Sequence, residues 1–370
     1  MDSRERTFLA LDHQEPDRVP LDCWASQGTK DKINSNMQLA YDDFLDKYDI
    51  DLRYIQGPEY IGPGLKTENG LEKDIWGVSR KPVSVRVSDG TVTFQEVYKE
   101  VLDSPLKAFS KVEEIFDYPH WPSADWFDYT GVEKQCDEIR DRARVVVFMG
   151  DRLNRFAQLK PAMYLRGMSQ IFCDMVESPE IVHSIFEHIR SFYIEYENRI
   201  LEAARGKIDI LVTGDDFGMQ NGLMISPSMW QEMLQKGFAE YIRVAQNHGA
   251  KVMHHTCGAV YDIIENFIDC DLDILQSIQP EASGMDPGRL KSNFGDRLCF
   301  QGGISIQKML PFMGPAEVRA HVASVLGQMM PGGGYIAGTA HNIQADTSIE
   351  NIAALFEAYH EYGGYASDIG

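Results

Sequence analysis

The chain has 370 residues, 44% hydrophobic and 25% charged, the make-up of ordinary globular protein. Its 56 acidic against 35 basic residues leave a net charge of −21. Such a field repels phosphate backbones and anionic lipid, so nucleic acid and membrane surfaces are poor partners.

The start, Met1 to Arg6, is charged and runs into an amphipathic helix expected over residues 3–13, with Phe8, Leu9 and Leu11 on its apolar side. That is no signal peptide, and no apolar run reaches the roughly 18 residues of a membrane span. Six cysteines (Cys23, Cys136, Cys173, Cys257, Cys270, Cys299) in so long a chain do not read as a disulfide framework. A reduced cytosol is the expected compartment, where a cysteine is a metal ligand or a core residue.

Pro16 breaks the first helix, and Val19-Pro20-Leu21-Asp22-Cys23-Trp24 reads as extended. A helix over 39–48 leads into a second strand, Asp51 to Ile55. Within 72–101, Ser84 to Ser88 and Thr91 to Phe94 alternate around Asp89-Gly90, which predicts a β-hairpin inserted into the main fold. A helix over 131–143 then precedes Val145 to Met149, a continuous apolar run of the kind a strand buried on both faces shows. A long helix follows Pro179, with Ser178 as its cap. Further strands begin near 208, 251, 273, 298 and 335. Helices are expected over 226–247, 260–267, 287–294, 315–329 and 348–362.

Eight strands, each followed by a helix, predict one α/β domain over 1–370, a (β/α)8 TIM barrel with an inserted hairpin and N-terminal helices. No Gly-x-Gly-x-x-Gly follows any strand, and Pro331-Gly332-Gly333-Gly334 precedes one, so it is a helix-ending turn and no phosphate loop.

In such a barrel the active site lies at the C-terminal strand ends. Those ends carry Asp22 and Cys23, Asp215 and Asp216, His254, His255 and Cys257, Gln276 and Gln279, Gln301, and His341 with Asn342 and Gln344. Core packing does not account for so polar a rim. His255 and Cys257, two apart at a strand end, point to the same side with α-carbons about 6 to 7 Å apart. An imidazole nitrogen and a thiolate can then converge on one zinc ion.

Blander readings stand beside this one. A free cysteine is often a small core hydrophobe, and His183, His188 and His321 inside helical patterns read as solvated or capping residues. Asp215 and Asp216 would equally cap a helix. Cys257 as a nucleophile with His254 or His255 as base is disfavoured, because base and nucleophile usually come from separate elements.

Several segments together resemble the uroporphyrinogen decarboxylase superfamily. They are Arg4-Glu5-Arg6 through His13-Gln14-Glu15-Pro16-Asp17-Arg18-Val19-Pro20, then Phe300-Gln301-Gly302-Gly303-Ile304, and Gly338 to Thr347 with Glu350-Asn351-Ile352. True decarboxylases of that superfamily carry an N-terminal arginine-rich motif for the substrate carboxylates. Residues 19–30 here lack it, and a strongly acidic protein is expected to offer a polycarboxylate little purchase. The resemblance therefore points to the zinc-dependent methyltransferases that exchange methyl groups with corrinoid proteins. Their ligands are His-x-Cys after the fifth strand and a Cys after the eighth. His255 and Cys257 match the first part. The third position, six residues before Thr347, is His341, a departure from the expected Cys.

Trading a thiolate for neutral imidazole raises the net charge of the site and makes zinc a stronger Lewis acid. That suits an O-methyl donor, methoxylated aromatics foremost, whose methyl group goes to Co(I). The implied cofactors are zinc and a corrinoid carried by a separate protein, since no Asp-x-His-x-x-Gly motif occurs here. On this reading Asp215 or Asp216 is a fourth ligand or protonates the leaving alkoxide. Gln301, Asn342 and Gln344 orient substrate, and Trp24, Tyr54, Tyr60 and Phe217 form an apolar wall. The alternatives are methyl transfer from methylcorrinoid to a thiol, a decarboxylase-like activity, or a non-catalytic barrel with structural zinc. A monomer or homodimer is expected.

Overall fold

The computed structural model describes residues 1–66, 71–88, 93–149 and 155–365. Seven strands, Leu52–Ile55, Val145–Phe148, Ile210–Gly214, Lys251–His255, Ile274–Ile278, Cys299–Ile304 and Tyr335–Thr339, form one sheet in sequence order. Every pairing is parallel, for example Leu52 with Val145, Gln276 with His255 and Phe300 with Tyr335.

The eighth place is filled by the segment expected as the first strand, which makes single bridges and no ladder. Leu21 bridges Ala337 and Ala25 bridges Ile343, both parallel. Asp22 N–H donates to Ala337 O (2.9 Å), and on the other side Asp51 N–H donates to Leu21 O (3.0 Å), which closes the ring. Pro20 has no N–H, so a continuous ladder cannot form there.

Side-chain parity divides the interior. Leu52, Val145, Val147, Ile210, Val212, Met253, Ile274, Cys299 and Ile336 pack together inside the barrel, with Leu11 of the first helix among them. The alternate residues face outward and bury the helices, among them Pro179–Ala204, in the larger core. Carried one layer up, the inward parity includes Tyr54, His255, Gln276 and Gln301.

Below, Asp51 is fully buried and ties the N-terminus down. It accepts from Arg6 Nη1 and Arg18 Nη1 (2.7 Å each) and from Leu21 N–H (2.7 Å). This gives the Arg6 and Arg18 of the opening motif a structural task.

Other elements depart from expectation. A helix Gln27–Met37, capped by Ser26, lies where none was foreseen; its polar composition carries little apolar periodicity. The expected helix 226–247 is two, Pro227–Met233 and Gln235–Asn247. Ser178 makes no side-chain cap, although Pro179 opens the long helix as expected. The hairpin pairs Ser79–Ser88 with Thr93–Asp103, and Glu72–Lys73 adds a third strand. The Asp89-Gly90 turn and Thr91-Val92 lie outside the described residues. This small sheet does more than decorate the barrel: Arg80, Val97 and Lys99 line its central cavity.

Candidate metal centre at the barrel mouth

His254 and His255 end one strand and part company because consecutive side chains face opposite ways. His254 turns outward. It stacks on Phe217 (ring centres 5.5 Å apart), meets Phe238 and Phe267, and hydrogen-bonds Thr213 through Nδ1 (2.8 Å). Burial pushes its pKa down to about 3, so it is a neutral core residue.

His255 turns inward. Its Nδ1 lies 3.0 Å from Gln276 Oε1 and its Nε2 3.5 Å from Cys257 Sγ. An amide oxygen only accepts, so Nδ1 carries the proton and Nε2 presents its lone pair toward the sulfur. His341, after the strand Tyr335–Thr339, repeats the arrangement: its Nδ1 hydrogen-bonds Asn342 Oδ1, which also accepts from Gln344 Nε2 (2.9 Å). The ring centres of His255 and His341 are 5.4 Å apart.

Donor atoms of His255, Cys257 and His341 all lie within 4.8 Å of one another. Two imidazoles and one sulfur, each ring turned by an amide oxygen, fit zinc with a position open for a guest. Burial, followed by the Arg155 charge, keeps His255 well below its usual pKa, and burial lowers His341 too. Both rings therefore stay neutral, the form that binds metal. Burial, with the Asp216 charge beside it, pushes the Cys257 thiol up to about 12. A cation must displace that proton to bind.

The sulfur is located by bare backbone. A Cβ on Gly218 would lie 2.7 Å from Ala259 N, and one on Gly258 (φ +85°) would lie 2.5 Å from the Gly218 carbonyl carbon. The loops after two neighbouring strands thus touch main chain to main chain, and Ala259 N–H donates to Met219 O (2.8 Å). The His341 loop is held by Lys32, which is buried and donates to Ala345 O and Thr347 O (2.7 Å each).

The two aspartates separate. Asp215 is buried and accepts from the backbone N–H groups of Gln158 (2.8 Å), Leu159 (2.6 Å) and Lys160 (2.8 Å). Burial raises it to about 6 against those bonds. It anchors the start of the helix Leu159–Arg166 and takes neither expected role. Asp216 faces the cavity, pairs with Lys160 and accepts from Cys257 N–H (3.2 Å). Burial opposes its charge, but the Lys160 ammonium overrides this and holds the carboxyl well below its usual range. It has no proton to give a leaving alkoxide at neutral pH. Among the described residues neither aspartate belongs to the close donor group.

His255 and His341 open onto a cavity of about 1130 Å³ whose wall includes Trp24, Tyr54, Tyr60, Asn342 and Gln344. Trp24 Nε1 donates to Tyr54 Oη, which donates to Asp22 Oδ2 (2.8 Å). The indole lies 5.4 Å from the His255 ring. Phe217 is not part of this wall; it sits in the outer core with Trp230 and His254. Gln301 lies in the lumen, where its Nε2 donates to Asp22 Oδ2 (3.1 Å), and it does not line the cavity.

Sequence reasoning missed Arg155 and Lys160, both on the wall. They follow the strand Val145–Phe148, so the rule that read the other strand ends would have found them. It also took net charge as a guide to the site. The wall carries Lys30, Lys73 and several arginines, so it offers an anion more purchase than an acidic chain promised.

Residues 104–362 match the family Uroporphyrinogen decarboxylase (URO-D), and the chain belongs to that family. It is similar to the uroporphyrinogen decarboxylase of Coxiella burnetii, 25% identical over 200 residues (51% of this chain, 49% of the relative). The enzyme of that name from Methylococcus capsulatus is 22% identical over 229 residues (60% and 61%). The chain spans about half the length of the first of these relatives. In fold it is similar to a methyltransferase from Methanosarcina mazei, with a TM-score of 0.67 at 14% identity, covering 98% of this chain and 99% of that one.

Proposed function

We propose that this chain is a zinc-dependent methyltransferase that takes a methyl group from a small O-methyl compound, methoxylated aromatics being the leading donors. The acceptor is the Co(I) corrinoid of a separate protein. The observation that carries this reading is the convergence of His255, Cys257 and His341, two of which, His255 and His341, line a small-molecule cavity.

Zinc bound there supplies Lewis acidity toward an ether oxygen. The chain does the rest. Gln276 and Asn342 fix the ring orientations, so both Nε2 lone pairs are turned inward before an ion arrives. Trp24 and Tyr54 hold the aromatic donor, with the methyl group toward the open cavity. Lys160, held on Asp216, donates a hydrogen bond to the oxygen that loses its methyl group.

A single thiolate favours this direction over methylation of a bound thiol, which an electron-richer site would assist. Among the described residues three protein donors converge, which argues for catalysis over a closed structural site. A second reading, decarboxylation of an anionic substrate, is favoured by the basic cavity wall and by the names of the relatives, but it leaves the donor trio without a task.

Zinc analysis and a methyl-transfer assay against free Co(I) cobalamin, with a panel of methoxy compounds, test the proposal. The purified chain is expected to hold one zinc and to methylate cobalamin, and His341→Ala is expected to lose both. A chain without zinc, or a variant that keeps both properties, would overturn it.

A further inference from the structure

Across the top of the lumen, inward-facing side chains stand in a row. His255, Gln276 and Gln301 occupy register-matched positions on three neighbouring strands, His255 opposite Gln276 and Gln276 opposite Gln301. All three are buried, as is Asp22 beyond them. His255 Nδ1–H donates to Gln276 Oε1 (3.0 Å), and at the other end Gln301 Nε2 donates to Asp22 Oδ2 (3.1 Å). Between these two bonds lie Gln276 Nε2 and Gln301 Oε1, both buried and, among the described residues, without a partner. One is a donor and the other an acceptor, on register-paired residues.

A glycine lets the row reach Asp22. The strand Tyr335–Thr339 lies between Gln301 and the segment that carries Asp22. At its inward position Gly338 has no side chain, and a Cβ there would overlap the Gln301 amide. That amide therefore crosses the strand over bare backbone. An amide has an acceptor at one end and donors at the other, so a row of amides has a direction. Asp22 sets it. Its Oδ2 also accepts from Tyr54 Oη (2.8 Å), and its Oδ1 accepts from Cys23 N–H (2.8 Å). Burial raises this carboxyl to about 6, which leaves it ionised, an acceptor only, at neutral pH. Gln301 must then turn Nε2 toward Asp22 and Oε1 back along the row. Gln276 meets that oxygen with its Nε2 only when its own Oε1 faces His255.

We propose that Asp22 is a positioning residue for the metal centre: through Gln301 and Gln276 it fixes the direction of a hydrogen-bonded row that keeps the His255 proton on Nδ1 and the Nε2 lone pair ready for a cation. Gln276 Nε2 and Gln301 Oε1 complete the row. The negative charge at its far end polarises each bond along it. The opposite direction would put the proton on Nε2, where it blocks a metal. The proposal rests on the reading of His255, Cys257 and His341 as a zinc site only for its effect on metal affinity; the tautomer of His255 belongs to the metal-free chain.

The test is long-range proton–nitrogen NMR of the histidine-labelled, metal-free chain at neutral pH, with the His255 signal assigned by its loss in His255→Ala. Zinc affinity by chelator competition is the second readout. The unsubstituted chain is expected to hold the proton on Nδ1. Asp22→Asn, which can donate, and Gln301→Met, which cannot connect, should each move the proton toward Nε2 and weaken zinc binding about tenfold or more. Gly338→Ala displaces the Gln301 amide and should act in the same direction, with every member of the row retained should Asp22→Asn fail to fold. Melting curves check folding. Because Asp22 acts through Gln301, adding Asp22→Asn to Gln301→Met should change neither readout further. A proton on Nε2 in the unsubstituted chain, variants that leave the tautomer unchanged, or losses that add in the double variant would overturn the inference. A tautomer that follows Asp22 in a chain that binds no zinc would leave the row standing and remove the zinc reading. Zinc bound with a tautomer indifferent to these variants would do the reverse.

Discussion

At the lower end of the barrel Leu11 plugs a lumen of Leu52, Val145, Ile210 and Ile274, and Asp51 locks Arg6 and Arg18 beneath the sheet. At the upper end the same strands carry His255, Gln276 and Gln301, and the loops add Asp216 and His341 around open space with Cys257 beside them. The base is closed by apolar packing and paired charge, whereas the mouth keeps polar groups oriented but available. One strand serves both ends, because the parity that buries Met253 also turns His255 inward. Stability and chemistry are thereby assigned to different layers of one element, and variants can separate them.

The largest expected effect is at the base. Asp51→Ala leaves two arginines with little solvent and without that partner, so it should cost about 3–5 kcal/mol in urea unfolding. The zinc content of the folded fraction should not change. Next come the neighbouring histidines. His254→Ala should destabilise by about 2–4 kcal/mol through lost packing while keeping zinc. His255→Ala should leave the unfolding free energy of the metal-free chain within about 1 kcal/mol and reduce zinc affinity at least about a hundredfold. If both variants lose zinc alike, the division between outward and inward parity is wrong.

A smaller effect crosses from framework to site. Lys32→Met removes the two hydrogen bonds that hold the His341 loop, and zinc affinity should fall about tenfold. Lys32→Arg should restore part of it, which a chelator competition would register.

The last variant lies in the outer helix layer. Glu197 of the helix Pro179–Ala204 is fully buried, and burial raises its carboxyl well above the usual 4.5. The folded state therefore holds this proton more tightly than the unfolded chain does, and stability falls as pH rises from about 4.5 toward the raised value. Glu197→Gln should flatten that slope and stabilise the protein at pH 8 by about 1 kcal/mol, with little change at pH 4.

Strand order and the barrel were legible in the sequence from period, and His255 with Cys257 from residue type at a strand end, whereas His341 joined them only through the family resemblance that counts back from Thr347. Which neighbour of a pair faces the site was harder to read. Phe217 and Asp215 were placed at the cavity, yet one packs behind His254 and the other caps a helix. A strand-end list gives depth along the barrel axis and does not give the direction of a loop side chain. The cationic wall escaped because net charge averages over surface and interior, and because Arg80 and Lys99 arrive from a hairpin that looked peripheral. The segment Val19 to Trp24 read as extended and was counted as a strand; the cost of the missing donor of Pro20 shows in the ladder, which reduces to single bridges.

The contact between Gly218 and Gly258 carries one further consequence. Where main chain rests on main chain, the Cys257 loop keeps its place whatever residue the opposite rim contributes. If the trio holds zinc as proposed, position 341, borne by another loop, is a tuning screw: exchanging its donor atom would alter the electron demand of the ion while the other two anchors stay put.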